Sequence, residues 1–184
     1  CPRALSIFRR AGHGLGVRRL WAPWRMEYIS GKRGGGCVLC DAAKDPTEEK
    51  LVLYRGSGAF IVMNKFPYNN GHLMVAPVRH VRLPNELTDE EALEIHRLIS
   101  ASIEALRMAM NPDGFNIGVN VGRHAGAGME HLHYHVVPRW AGDTNFMPVL
   151  ADVKVIPQHL KATYRELKPV IEKVLRGSTY RGRA

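Results

Sequence analysis

Three short apolar runs, Leu51–Tyr54, Ala59–Asn64 and His72–Pro77, are separated by segments rich in Gly, Pro and Asn. Their lengths and residue types predict strands. Pro67, Asn69, Asn70 and Gly71, between the last two runs, favour a hairpin-like connection. Thr88-Asp89-Glu90-Glu91 then reads as a capping box, with Thr88 accepting an orphan N–H and Glu91 reaching back. Ile95, Ile99, Ile103, Leu106 and Met110 recur at helical spacing, which predicts a long helix with one buried stripe, stopped by Asn111-Pro112-Asp113-Gly114. From Phe115 to Val121 the pattern switches to strict alternation, apolar at Phe115, Ile117, Val119 and Val121. A glycine-rich loop, Gly122–Gly128, leads to a strand predicted over His131–Trp140. Pro157–Leu175 predicts a final helix, kinked or interrupted at Pro169.

Consecutive strands with one central and one terminal helix predict an α+β domain around an antiparallel sheet of about five strands. Strands and helices do not alternate, and neither a GxxxxGK[ST] nor a GxGxxG segment is present, which argues against P-loop and Rossmann-type architectures.

Composition adds boundaries to this picture. A length of 184 residues fits one domain. Residues 1–19 read as a disordered Arg- and Gly-rich leader, whose composition also suits a transit peptide. Trp21, Pro23 and Trp24 need a surface to cover, so the folded domain is expected over residues 20–175, followed by a basic tail at 176–184. The net charge of +9 is concentrated at the ends. Eight Arg and Lys against Glu27 give +7 over residues 1–36, and Arg176, Arg181 and Arg183 add +3, so 9 − 7 − 3 leaves residues 37–175 at −1. The body is therefore not a basic nucleic-acid surface, and the termini read as solvated tails. No apolar stretch approaches the roughly 18 residues of a membrane span. Three cysteines, two of them the pair Cys37 and Cys40, fit a reducing cytoplasm and a metal site better than a disulfide framework.

Chemistry concentrates in His131-Leu132-His133-Tyr134-His135-Val136-Val137-Pro138-Arg139. On a strand His131, His133 and His135 share one face, and Leu132, Tyr134 and Val136 the other. Each imidazole brings two nitrogens that need partners, so three on one face are costly as mere packing. Near neutrality imidazole is an uncharged nucleophile that can attack phosphorus without like-charge repulsion. Flanking glycines, Gly126 and Gly128 among them, let backbone N–H groups approach an anionic phosphate closely. The combination points to a phosphorus substrate. Of the other histidines, His96 reads as a surface residue of the long helix, while His124, in the glycine loop, lies where a phosphate could be met.

The His-x-His-x-His segment followed by apolar residues resembles the signature of the histidine triad (HIT) family, and the resemblance extends over residues 20–170. It implies that His133 is the nucleophile, forming a nucleotidyl–histidine intermediate, and that His135 binds the phosphate or helps the leaving group. Asn64 and His72 match positions that meet the nucleoside sugar and the active-site histidines, and Asn120 matches an asparagine that handles the phosphate or leaving group. The blocks Leu20–Arg25, Pro67–His72 and Pro138–Phe146 are similar to a bacterial branch of diadenosine tetraphosphate phosphorylases and hydrolases. In that setting Arg139 either reaches phosphate or is a surface charge. Several branches carry Ser or Thr where this chain has Gly128, and Gln where it has Ala127, so leaving-group help from those side chains is absent.

The resemblance also implies a structural zinc site formed by Cys37, Cys40, His80 and His131, the alternative being a reduced, buried cysteine pair. A homodimer and a divalent ion carried with the substrate are expected on the same ground. Rival readings are a nucleoside phosphoramidate hydrolase and a uridylyltransferase-like enzyme, a class that usually replaces the third histidine with Gln. A non-enzymatic rival is a zinc-stabilised nucleotide- or nucleic-acid-binding module that would depend on residues 1–19.

Overall fold

A computed structural model describes residues 36–143 and 158–177. The expected leader, the Trp21 and Trp24 start and residues 178–184 of the tail lie outside these. Five strands, β1 (Val52–Arg55), β2 (Ala59–Met63), β3 (Leu73–Pro77), β4 (Gly114–Val119) and β5 (Tyr134–Arg139), form one sheet in the order β1-β2-β3-β5-β4. Every neighbouring pair is antiparallel. Helices α1 (Val38–Lys44), α2 (Asp89–Met110) and α3 (Leu160–Gly177) complete the fold, and α3 runs through Pro169 as one helix.

The expected α+β architecture is thus present, with local differences. β2 and β3 are buried along their whole length, which is why their sequences read as continuous apolar runs rather than alternating ones. In α2 the buried face comprises Ile95, Leu98, Ala101, Ser102, Ala105 and Leu106, whereas Ile99, Ile103 and Met110 are only partly covered. The stripe expected from the isoleucines is therefore rotated: small residues let the helix approach the sheet, and the larger ones fall at its margin. The capping box forms as read, with Glu91 N–H donating to Thr88 Oγ1 at 3.3 Å and Thr88 N–H to Glu91 Oε2 at 2.9 Å. Asn111 closes the other end in the left-handed region at φ 45°. α1 was not foreseen in the sequence.

β5 begins at Tyr134, three residues later than expected, so His131 and His133 lie just before the strand rather than on it. Two turns are pinned from α2. Glu94 accepts the N–H groups of Ser57 and Gly58 at 3.1 and 2.7 Å, clamping the β1–β2 turn. In the β2–β3 turn Gly71 sits at φ +73°, and a Cβ there would lie 2.7 Å from Met110 Sδ and 3.0 Å from Leu106 Cδ2. Buried Asn69 ties the same turn to the Pro138 carbonyl at 3.0 Å.

Candidate active site and metal centre

His133 and His135 are buried side by side, with ring centroids 4.9 Å apart and planes nearly perpendicular. Hydrogen-bond donors fix what each ring can do. The His133 Nδ1 lies 2.7 Å from the His131 carbonyl, an acceptor, so Nδ1 must carry the proton and Nε2 keeps a lone pair. A second chain starts at the turn backbone. The Tyr68 N–H donates to His72 Nδ1 at 3.0 Å, and the Asn64 amide nitrogen stands 3.4 Å from the same atom. His72 Nδ1 is thereby an acceptor, and its Nε2–H donates to His135 Nδ1 at 2.9 Å. By the same logic His135 presents Nε2–H as a donor.

The His72 and His135 rings stay neutral near pH 7. Burial, reinforced by His135 and His133, lowers His72 from the ordinary imidazole value to about 3. Burial and His133 lower His135 to about 4. Two neutral imidazoles in series can therefore pass on orientation without introducing charge. The Tyr68 ring packs 4.7 Å from His72 and 5.6 Å from His135 and remains 54% exposed.

Across the sheet, β4 pairs Gly118 with His135 and Val119 with Tyr134. A Cβ at Gly118 would meet nothing within 4 Å, so the space beside His135 is open on that side. Asn120 directly follows Val119, the last residue of β4, as His133 directly precedes Tyr134, its partner in β5. A Cβ at Gly126, which adopts φ +89°, would lie 3.8 Å from the Asn120 amide nitrogen. The glycine loop turns back at once, with Ala127 N–H donating to Gly122 O at 3.2 Å, and Arg123, His124, Gly126 and Gly128 on it are exposed.

Not every residue singled out in the sequence gathers here. Arg139 occupies the far end of β5, where its guanidinium grips Asp143 at 2.6 and 2.9 Å and Asn116 at 2.8 Å. It braces the strand end and does not reach His133. The His131 ring faces away from the other two and towards the cysteines, because the strand alternation assumed for it starts only at Tyr134. Tyr68 and the backbone carbonyls of His131 and Pro77 were missed: backbone acceptors leave no trace in residue identity, and Tyr68 signalled itself only through the Pro67–His72 block.

His131 belongs to a second cluster. Its Nε2–H donates to the Pro77 carbonyl at 2.8 Å, which leaves Nδ1 bare, 3.3 Å from Cys37 Sγ and 3.4 Å from Cys40 Sγ. His80 Nδ1 lies 3.2 Å from Cys40 Sγ. The four ligand atoms of Cys37, Cys40, His80 and His131 all fall within 4.8 Å of one another, and this group could hold a metal ion. Tetrahedral zinc, with bonds of about 2.0–2.3 Å, sets its ligands about 3.5 Å apart, close to the three cysteine–histidine spacings of 3.2–3.4 Å. The Pro77 carbonyl behind His131 is the outer partner that a ligating histidine ordinarily has.

Comparison with known proteins agrees with this geometry. The family model described as HIT domain matches residues 46–142. The chain is 41% identical over 173 residues to the AP-4-A phosphorylase of Mycobacterium tuberculosis, spanning 88% of this chain and 89% of that one. It is 27% identical over 137 residues to an adenosine 5'-monophosphoramidase of Schizosaccharomyces pombe, covering 74% and 98% respectively. Among solved structures, a zinc-bound histidine triad family protein from Mycobacterium smegmatis shares the fold at TM-score 0.64 and 22% identity, over 78% of this chain and 99% of that one.

Proposed function

The chain belongs to the HIT family, and from that premise we propose that it cleaves the phosphoanhydride of a dinucleoside polyphosphate such as diadenosine tetraphosphate through a nucleotidyl–His133 intermediate. The observation that carries this reading is the 2.7 Å bond from His133 Nδ1–H to the His131 carbonyl, which leaves Nε2 as a free nucleophile beside the His135 donor. Nε2 attacks the α-phosphorus, the N–P bond forms, and the bridging P–O bond breaks to release the distal nucleotide. Positive charge arising on the His133 ring is spread into its bond with the His131 carbonyl. Phosphate oxygens take hydrogen bonds from His135 Nε2–H, Asn120 and the N–H groups around Gly126 and Gly128. Inorganic phosphate, or water, then attacks the same phosphorus and frees His133.

The lowered pKa of His135 bears on the leaving group. A neutral imidazole lends a hydrogen bond but is a poor source of a whole proton. A polyphosphate leaves as a stabilised anion and asks only for the hydrogen bond, whereas an amine must be protonated to depart. That contrast, with Gly128 in the place of a hydroxyl side chain, favours the dinucleotide over the phosphoramidate. The similarity to a relative named AP-4-A phosphorylase favours phosphate over water as second acceptor. We further propose that zinc fills the Cys37, Cys40, His80 and His131 centre in a reducing cytoplasm, that a divalent ion arrives with the polyphosphate, and that the chain works as a homodimer.

The test is incubation with diadenosine tetraphosphate, with and without phosphate, beside His133→Ala. ADP and ATP formed only with phosphate are expected, and the variant should lose activity by about 10⁴-fold or more. A variant of full activity would overturn the histidine nucleophile.

A further inference from the structure

His131 serves both centres at once: its ring points Nδ1 at the two cysteine sulfurs, while its own backbone carbonyl accepts the Nδ1–H of His133. The peptide that follows is held just as closely, since Leu132 N–H donates to the Val81 carbonyl at 2.8 Å. Pro77 and Val81 therefore grip His131 and Leu132 from either side, and His80, a ligand candidate, lies between them. Residues 78–83 contain no helix or strand, and His80 itself is exposed. On the opposite side, Cys37 is the N-cap of α1 and makes no side-chain cap bond. Three segments distant in sequence thus converge on one peptide: the start of α1, the irregular stretch after β3, and the irregular stretch before β5 that carries the peptide itself.

Resting on the reading of His133 as nucleophile and of the four-residue centre as a metal site, we infer that metal occupancy governs the nucleophile: the metal fixes the His131 peptide, and that peptide holds His133 with its proton on Nδ1. An imidazole free in water carries its proton mainly on Nε2, the very atom that must attack. Loosening the His131 carbonyl therefore misdirects the ring and also protonates the wrong nitrogen. The coupling runs through a single outer hydrogen bond, so its expected size is a roughly 10–100-fold fall in kcat. KM should change little, because Asn120 and the glycine loop, the proposed phosphate partners, are not among the four residues of the centre.

The experiment compares zinc-loaded full chain, the chelated chain and His80→Ala at one fixed pH near neutrality. Ring ¹⁵N shifts of His133 report its tautomer without substrate, so the measurement stands even if no dinucleotide is cleaved. Expected are a single Nδ1–H form with zinc, a mixture without it, and a kcat loss at nearly constant KM. His80→Ala keeps three ligands, and both its kcat and its Nδ1–H signal should rise together as zinc is added. If chelation unfolds the chain, this zinc titration decides, read against amide signals from β2 and β3. The inference is overturned if His133 keeps its tautomer and kcat without metal, or if kcat follows only the folded fraction.

Discussion

At His135 the incoming bond from His72 Nε2–H, 2.9 Å long, is what turns the Nε2–H of the third triad histidine outward. His72 touches no reacting atom in this arrangement and acts by position. His72→Phe should lower kcat by about 10–100-fold, while His72→Gln, which keeps a donor within reach of His135, should recover part of the loss. Steady-state assays of both variants check this, and equal losses would refute the tautomer role. The same two rings make stability depend on pH. Unfolded, each titrates near 6.5, but in the fold burial holds His72 at about 3 and His135 at about 4. Below about pH 6.5 the unfolded chain binds protons that the folded chain refuses, so stability is whole above that value. It is lost as pH falls from about 6.5 through 4 for His135 and 3 for His72, at up to about 1.4 kcal/mol per pH unit for each proton. Urea midpoints should fall between pH 7 and pH 5, less steeply in His72→Phe; equal slopes would contradict a neutral buried His72. The histidine cluster was legible in the sequence because three alternate histidines are hard to explain as packing, while the choice of His133 as the proposed nucleophile came from the family resemblance. The hydrogen bonds that assign their roles were not, since most run to backbone atoms that any residue supplies.

Among the elements, the β2–β3 turn shows how tightly the site is supported. Gly71 has both a left-handed backbone and no room for a methyl group against Met110 and Leu106. Gly71→Ala should cost about 1–3 kcal/mol, seen by calorimetry as a Tm drop of about 2–4 °C for each kcal/mol. An unchanged Tm would mean that the turn yields at no cost, and the backbone donor to His72 would then be less rigid than the geometry indicates. Element types were readable wherever one period ruled: the capping box and the stop at Asn111 bounded α2, and the apolar runs gave β1 to β3. Where two demands competed, the reading slipped. The α2 stripe was traced through its largest residues, but close packing on a sheet favours Ala101, Ser102 and Ala105 at the contact. The start of β5 was set too early because His131 and His133 match the alternation of a strand, while the Leu132 N–H is taken by the Val81 carbonyl and the His131 carbonyl by the His133 ring.

For the whole molecule, β4 poses the remaining question. It is an edge strand, and its register places Phe115, Ile117 and Val119 on the face shared with Pro138, Val136 and Tyr134, where α2 packs. α2 covers β2 and β3 more fully than it covers β4, so Ile117 is left 48% exposed, with Val121 beyond it at 39%. Beside it a cleft of about 170 Å³ opens between Tyr134 and the α2 residues Ala92, Ile95, His96 and Ile99. Strict alternation in the sequence announced a strand with one apolar side, and among the described residues that side is the one left uncovered. A long edge with apolar side chains and unpaired backbone groups is a surface that proteins ordinarily cover. In the proposed homodimer a second copy does so, strand against strand, extending the sheet across the symmetry axis. Because His135 lies opposite Gly118 on the neighbouring strand, the same contact would stiffen the floor of the site. Ile117→Lys should therefore shift the chain from dimer to monomer in sedimentation equilibrium and reduce kcat as well, since a charge on this edge cannot be buried against its own copy. If the wild type sediments as a monomer at micromolar concentration, the dimer proposal fails. If the variant becomes monomeric at undiminished kcat, pairing of β4 serves stability alone and the site is complete within one chain.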